Sequence, residues 1–338
     1  MSYPVTNRQV HLVRHPDGLP TPEDFKLVEV PVPSLETGQA LVRNTYLSLS
    51  AAMRTLMGQS DVPMPLYQLG EVMYGPALGE VVASEDAVLA PGDLVQHRQG
   101  WRDYAWGPAT EFRPIDSDAL PDPVAHLAPG LTAYVGLVAA GWIVPGDVVL
   151  VTGAAGAVGS LAGQIARLLG ASEVIGTVGS PAKARFVVET LGYDRAFDYH
   201  DGDLVDQFRA FAPKGVDVVF DNVGADQLRA AIAVAKPRAR IAVCGSLAHQ
   251  LGGATADIAL NTMEIIGKRI TLAGFTAADH PDLATAWPEQ FATWLSEGDL
   301  VLPYQRLLGL HAAVPGLIDL LAGRYSGMVV VDLDDAYH

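Results

Sequence analysis

Apolar and polar positions follow two different rhythms along the 338 residues. Up to about residue 125, short apolar stretches are broken by Gly, Pro and Asp turns. This predicts strands over 10–13, 25–31, 39–46, 72–82 and 93–96. At Leu127-Ala128-Pro129-Gly130-Leu131-Thr132-Ala133-Tyr134 the character changes, and a helix is expected to run on to Ala140. From Pro145 onward, continuous apolar runs over 148–152, 173–178, 216–222 and 241–245 alternate with helical spacing over 160–169, 182–191 and 227–235. Strands that are apolar on both sides and alternate with helices predict an α/β fold with a doubly wound parallel sheet. A further strand is expected over 269–275 and a helix over 288–296. From Pro303 short strands return, with a helix over 313–322 and a last strand over 328–332. The chain thus divides into three segments: a mostly β domain over 1–125, a parallel-sheet domain over 126–300, and a tail, 301–338, that rejoins the first.

The run Val148-Val149-Leu150-Val151-Thr152 ends in Gly153-Ala154-Ala155-Gly156-Ala157-Val158-Gly159, just before a helical segment. Such a turn brings main-chain N–H groups and the positive end of a helix onto a diphosphate. Gly156 permits close backbone approach, and Gly159 lets the helix sit against the strand. A strict Gly-x-Gly-x-x-Gly would need glycine at Ala154. The placement between strand and helix therefore carries the dinucleotide reading, against the bland one of an ordinary turn.

The end of the next strand decides which dinucleotide fits, because a carboxylate there would accept the ribose hydroxyls. That end reads Val178-Gly179-Ser180-Pro181-Ala182-Lys183 and holds no acid; Glu173 stands at the opposite end of the strand. Small residues and a lysine leave room and charge for a 2′-phosphate, which favours NADP(H). The later strand ends, Asp221-Asn222-Val223-Gly224 and Cys244-Gly245-Ser246, lie where ligands collect in such sheets. Cys244 has neither a basic neighbour nor a second cysteine and reads as a structural thiol.

The net charge of −16 argues against nucleic-acid and anionic-membrane partners. The start of the chain lacks a basic-then-apolar leader, and no run is long enough to span a bilayer, so a cytoplasmic location is expected. One cysteine excludes an internal disulfide and a cysteine-based structural zinc site, and His11, His15, His97 and His126 are isolated, so no metal is expected. Gly-x-Ser-x-Gly is absent, against hydrolase chemistry.

With these motifs in hand, the chain resembles the zinc-independent medium-chain dehydrogenase/reductase superfamily. Within it, the chain is most similar to the leukotriene B4 dehydrogenase/prostaglandin reductase group of alkenal and enone reductases. The residues that carry the resemblance are Gly70-Glu71-Val72-Met73, Pro129–Tyr134, Ala154–Gly159, Gly179-Ser180 with Lys183, Phe220-Asp221-Asn222-Val223-Gly224 and Gly274-Phe275. The resemblance implies a Rossmann domain and a GroES-like, partly open barrel-like substrate domain, NADP(H) as cofactor, and a homodimer joined through the cofactor domains. It places the diphosphate on Gly156, Ala157, Val158 and Gly159, and the 2′-phosphate on Ser180, Lys183 and Tyr199. Asn222, Cys244, Gly245, Ser246, Phe275, Thr276 and Ala277 would line the ribose and nicotinamide.

Three departures stand out. The family's Asp-Pro-Tyr-Met-Arg reads Ser50-Ala51-Ala52-Met53-Arg54, and a loop tyrosine is replaced by Gln250. A cofactor-contacting asparagine near the end is replaced by Tyr325. The expected function is hydride transfer from NADPH to the activated C=C of an enone or enal in a small or medium hydrophobic substrate. His249, Gln250 and Tyr67 are the candidates for handling the enolate oxygen and its proton, alongside Tyr74, a ribose hydroxyl or water. Two alternatives stand beside it: an NADP-dependent secondary alcohol/ketone oxidoreductase, and a non-catalytic NADPH-binding protein.

Overall fold

The structure, a computed structural model, describes residues 6–58, 64–250 and 259–334. It divides into two compact units, one comprising Met1–Leu127 with Tyr304–His338 and the other Ala128–Pro303.

In the first unit, β1 (Thr6–Leu12) and β2 (Phe25–Pro31) form an antiparallel ribbon. The long strand β3 (Gln39–Leu49), a short helix α1 (Ala52–Leu56), β4 (Ala77–Ser84), β5 (Leu94–His97), β6 (Tyr104–Pro108) and β7 (Arg113–Pro114) come next along the chain. The expected strand over 72–82 begins only at Ala77, because the upstream backbone is committed elsewhere: Met73 N–H donates to Val10 and Gly75 N–H to Arg98. β6 has no counterpart among the expected strands. It carries Gly107 and Pro108 but gains its place by pairing with β3.

The second unit opens on α2 (Gly130–Val135), which runs into a wider turn over Gly136–Ala140. The expected helix over 127–140 is interrupted at Pro129, since a proline disfavours helical backbone in the residue before it; a separate 3₁₀ turn covers Pro123–Leu127. Then come β8 (Val148–Val151), α3 (Ala157–Leu168), β9 (Glu173–Val178), α4 (Pro181–Glu189), β10 (Arg195–Asp198), α5 (Leu204–Phe211), β11 (Val216–Asp221), α6 (Ala225–Val234), β12 (Ala235–Val243), α7 (Leu247–Gln250), α8 (Thr262–Lys268), β13 (Thr271–Gly274) and α9 (Pro281–Glu297). The six strands form one parallel sheet in the order β10-β9-β8-β11-β12-β13. Val149, Leu150 and Val151 are fully buried at its centre, with Leu161, Ala162 and Ile165 of α3 equally enclosed. That is why the strand reads as a continuous apolar run. α9 starts seven residues earlier than expected and carries Pro288 inside it. Trp287, Phe291 and Trp294 anchor it from one face, and Trp287 lies flat against Gly130 and near Tyr134.

The tail supplies β14 (Tyr304–Leu308), α10 (Ala313–Leu321) and β15 (Met328–Asp332). β15 pairs antiparallel with β3, so the tail completes the mixed sheet β14-β15-β3-β4-β5-β7 of the first unit, which does not close into a barrel. No helix among the described residues is long and apolar enough to cross a membrane.

Candidate functional site

β8 delivers the chain to the turn 152–156, where Gly153 takes a positive φ of 62° and Gly156 starts α3 without a side-chain cap. A Cβ on Gly159 would lie 2.3 Å from the Gly153 carbonyl oxygen and 2.9 Å from the Ala154 Cα. Only glycine brings the first turn of α3 that close to the loop. A Cβ on Gly156 would meet a single protein atom, the Gly153 oxygen, at a tight 3.3 Å, so this position is far less crowded than Gly159. The first-turn N–H groups of Ala157, Val158 and Gly159 have no acceptor within the helix, which makes this end an anion cradle.

Ala154, where a strict motif has glycine, is fully buried and donates its N–H to the Thr177 carbonyl at 2.9 Å. Its methyl faces Gly176, whose own Cβ would lie 2.7 Å away. The missing glycine of the motif has thus moved across to the neighbouring strand.

At the end of β9, Ser180 caps α4 by accepting from the Lys183 N–H at 3.2 Å. No carboxylate stands at Val178-Gly179-Ser180. Lys183 is partly enclosed, and burial lowers its ammonium pKa. Tyr199, just past β10, is half-buried, and burial raises its phenol pKa. Its Cε1 and hydroxyl would lie 3.4 and 3.5 Å from a Cβ on Gly179. The fold therefore brings Gly179 and Tyr199 together at one sheet edge, with Ser180 and Lys183 directly after Gly179. These groups suit a 2′-phosphate, and the end of β9 itself offers the hydroxyls of an unphosphorylated ribose no carboxylate.

A polar network joins the turn 152–156 to the loops after β11 and β12. The Thr152 hydroxyl donates to Asp221 Oδ1 at 2.7 Å and accepts from the Asn222 N–H at 2.9 Å, while Asn222 Nδ2 donates to the Thr152 carbonyl at 2.8 Å. Gly224 N–H donates to Asp221 Oδ2 at 3.0 Å. Asp221 is wholly buried, and desolvation raises its pKa despite these donors. Its carbonyl accepts the N–H groups of Cys244 and Gly245, so the loop after β12 hangs on the same residue. Gly245 must be small there, since its Cβ would lie 3.0 Å from the Asn222 oxygen. The Cys244 thiol is pushed up to about 12 by burial and then by Asp221, which fits a structural thiol. Ser246 comes next, its Oγ 3.1 Å from where a Gly224 Cβ would stand. Phe275 packs on Phe220 over Gly136, and Thr276 caps the turn that begins at Ala277.

The three proton-handling candidates are placed differently. Gln250 closes the short helix α7, half-buried, with its N–H on the Ser246 carbonyl. The His249 side chain lies outside the described residues. Tyr67, in the first unit, is 3% exposed and donates its hydroxyl to the Tyr74 carbonyl at 2.7 Å. Burial raises its pKa far above the ordinary phenol range, so its proton is tied into packing. A cavity of about 410 Å³ in that unit is lined by His15, Gly58, Leu66, Tyr67, Gln68 and Leu69. Tyr325, also in the first unit, donates its hydroxyl to Asp319 at 3.2 Å. Among the described residues, no group of three or more His, Cys, Asp or Glu is placed to hold a metal ion.

Sequence reasoning passed over Thr152, Thr177 and Gln227. The Thr177 hydroxyl sits 3.3 Å from the Gly153 N–H that donates to it and itself donates to Gln227. No local motif marks these residues, because their partners lie on other elements far away in the sequence.

A parallel sheet with a glycine-packed turn leading into a helix at its centre, and a second strand whose carboxyl end carries no acid, is the frame of a dinucleotide-dependent oxidoreductase. Comparison with known proteins agrees. Residues 8–115 match the family described as "N-terminal domain of oxidoreductase", and 157–294 the family "Zinc-binding dehydrogenase". The chain is 33% identical over 334 residues to the NADPH-dependent curcumin reductase of Escherichia coli K12, covering 96% of both chains. It is 31% identical over 344 residues to the NADP(+)-dependent 2-alkenal reductase of Nicotiana tabacum, covering 98% of both. It superposes with a TM-score of 0.89 on the crystal structure of CurA from Vibrio vulnificus in complex with NADPH, at 31% identity, covering 97% of this chain and 99% of that one. The chain belongs to the zinc-independent medium-chain dehydrogenase/reductase superfamily, in its alkenal/enone reductase group.

Proposed function

We propose that this chain is an NADPH-dependent reductase that saturates the activated C=C of an enone or enal in a small or medium hydrophobic substrate. The observation that carries the NADPH part of this reading is the acid-free end of β9, with Ser180, Lys183 and Tyr199 near Gly179, in the same sheet as a turn built from Gly153, Gly156 and Gly159. Full-length similarity to reductases named for curcumin and 2-alkenals supports the substrate class.

When bound, NADPH supplies a hydride to the alkene β-carbon, which leaves negative charge on the substrate carbonyl oxygen. Everything else falls to the chain. The first-turn amides of α3 hold the diphosphate. Lys183 and Tyr199 hold the 2′-phosphate. Asn222, the loop Cys244-Gly245-Ser246 and Phe275-Thr276-Ala277 position the ribose and nicotinamide, with the Thr152–Asp221 network fixing the first two of these segments. Gln250 can donate a hydrogen bond to the enolate oxygen but has no acidic proton. His249 is the residue of that loop able to supply one. The resemblance to the family supports, as part of the same proposal, a cytoplasmic homodimer joined through the cofactor domains.

The test is NADPH oxidation against paired enones, alkenals, quinones and simple ketones, with product identification and NADH in parallel. Loss of the alkene with the carbonyl retained is expected. Turnover of ketones alone would shift the reading to a carbonyl reductase, and NADPH binding without turnover of any class would remove the enzyme assignment.

A further inference from the structure

We propose that His200 is a specificity-determining residue for the 2′-phosphate of NADPH, an assignment that rests on the NADPH reading above. β9 and β10 are adjacent parallel strands, so the loops leaving their carboxyl ends emerge at the same sheet edge. A Cβ on Gly179 would lie 3.4 Å from Tyr199 Cε1 and 3.7 Å from His200 Cε1, which puts both rings against the bare backbone where the adenosine ribose would end. The two rings themselves lie 4.0 Å apart between centroids, tilted by 39°.

His200 is exposed yet held. Its side chain is 59% accessible, while that of Asp198, which anchors it, is 9% accessible. Asp198 Oδ1 accepts from His200 Nδ1 at 2.7 Å and from the His200 backbone N–H at 3.1 Å. A carboxylate can only accept, so Nδ1 carries a proton and Nε2, on the other side of the ring, is the nitrogen left for a ligand. The ring is thereby oriented before any ligand arrives. A phosphate dianion at Nε2 favours the doubly protonated ring, which then donates it a charge-assisted hydrogen bond, with the Tyr199 ring alongside. The 2′-hydroxyl of NADH, uncharged, gains little from the same group. His200 therefore contributes to the choice between the two cofactors rather than to dinucleotide binding in general.

The test is direct titration of the full-length protein with NADPH and with NADH, measuring dissociation constants for wild type, His200→Ala, His200→Lys and Lys183→Ala. For His200→Ala the expected result is NADPH binding weakened about tenfold, with NADH binding changed less than about twofold. His200→Lys should restore most of the preference. If His200→Ala weakens both cofactors equally, or neither, while Lys183→Ala still abolishes the preference, the assignment of His200 is overturned and the NADPH reading stands. If Lys183→Ala and His200→Ala both leave the preference intact, the phosphate site itself is misplaced and both fall.

Discussion

The hydroxyl of Thr152 donates to Oδ1 of Asp221 at 2.7 Å, joining the glycine turn after β8 to the loop after β11 across 69 residues of sequence. Asp221 is fully buried, so the bond is made where an unpaired polar group is expensive. Thr152→Val removes a donor that Asp221 uses and an acceptor that the Asn222 N–H uses. Asp221→Asn offers one oxygen where the Thr152 hydroxyl and the Gly224 N–H both need an acceptor. Each variant should cost about 1–3 kcal/mol in urea unfolding and weaken NADPH binding. Stability unchanged within about 0.5 kcal/mol in both would show that the network does not hold the turn.

Substituting either of two glycines where the chain turns from β8 into α3 should weaken NADPH binding, but the two should differ in their effect on stability. Gly159→Ala puts a methyl 2.3 Å from a backbone oxygen, so the protein should lose stability and NADPH binding together. Gly156→Ala meets one backbone oxygen at 3.3 Å, so melting should shift less than for Gly159→Ala, while NADPH affinity falls because the methyl stands where the diphosphate is proposed to approach. Thermal melting and NADPH titration on the two variants separate the effects.

The exchange of glycine between Ala154 and Gly176 makes a double-mutant cycle informative. Gly176→Ala brings two methyl groups to 2.7 Å and should destabilise the protein by about 1–3 kcal/mol. Ala154→Gly in the same chain should recover part of that loss. The recovery is incomplete because the new Cβ would also lie 3.1 Å from the Tyr193 ring. Purely additive effects in urea unfolding would show that the two positions do not compensate.

His97 gives the first unit a specific acid sensitivity. It is 4% exposed and stacks edge-on against Phe112, and Nδ1 accepts from the Gln99 N–H at 3.1 Å. Burial lowers its pKa to about 3, with the Arg102 charge adding to the effect. The folded protein then binds fewer protons than the unfolded chain between about 6.5 and 3, so stability falls as pH drops through that window. The slope is about 1.4 kcal/mol per pH unit. His97→Gln, neutral throughout, should flatten that part of the stability–pH curve relative to wild type. Parallel curves for the two proteins would contradict this.

Legible in the sequence was whatever is local. The turn 153–159 and the Ser180–Lys183 start of α4 are contiguous, and their chemistry comes from residue type and position alone. β10 escaped notice because it has four residues on the sheet edge, bounded by Arg195 and Asp198; α5 is short, although Leu204, Val205, Phe208 and Phe211 follow helical spacing. Missing β10 also hid the setting of Tyr199 and His200, which only the strand places beside Gly179. Tyr67 lies next to a family motif, yet its hydroxyl is spent on the Tyr74 carbonyl, a partner no periodicity reveals. Thr152 and Asp221 are each visible as strand-end residues, but the bond between them depends on the strand order β8-β11.

The most direct test of the central claim tracks the hydride itself. NADPH deuterated at either C4 position is incubated with the enzyme and a simple enone, and the product is examined by NMR. Deuterium from one of the two labelled cofactors at the former β-carbon, with the carbonyl intact, is the predicted result. Deuterium on the former carbonyl carbon, with the alkene retained, would contradict it.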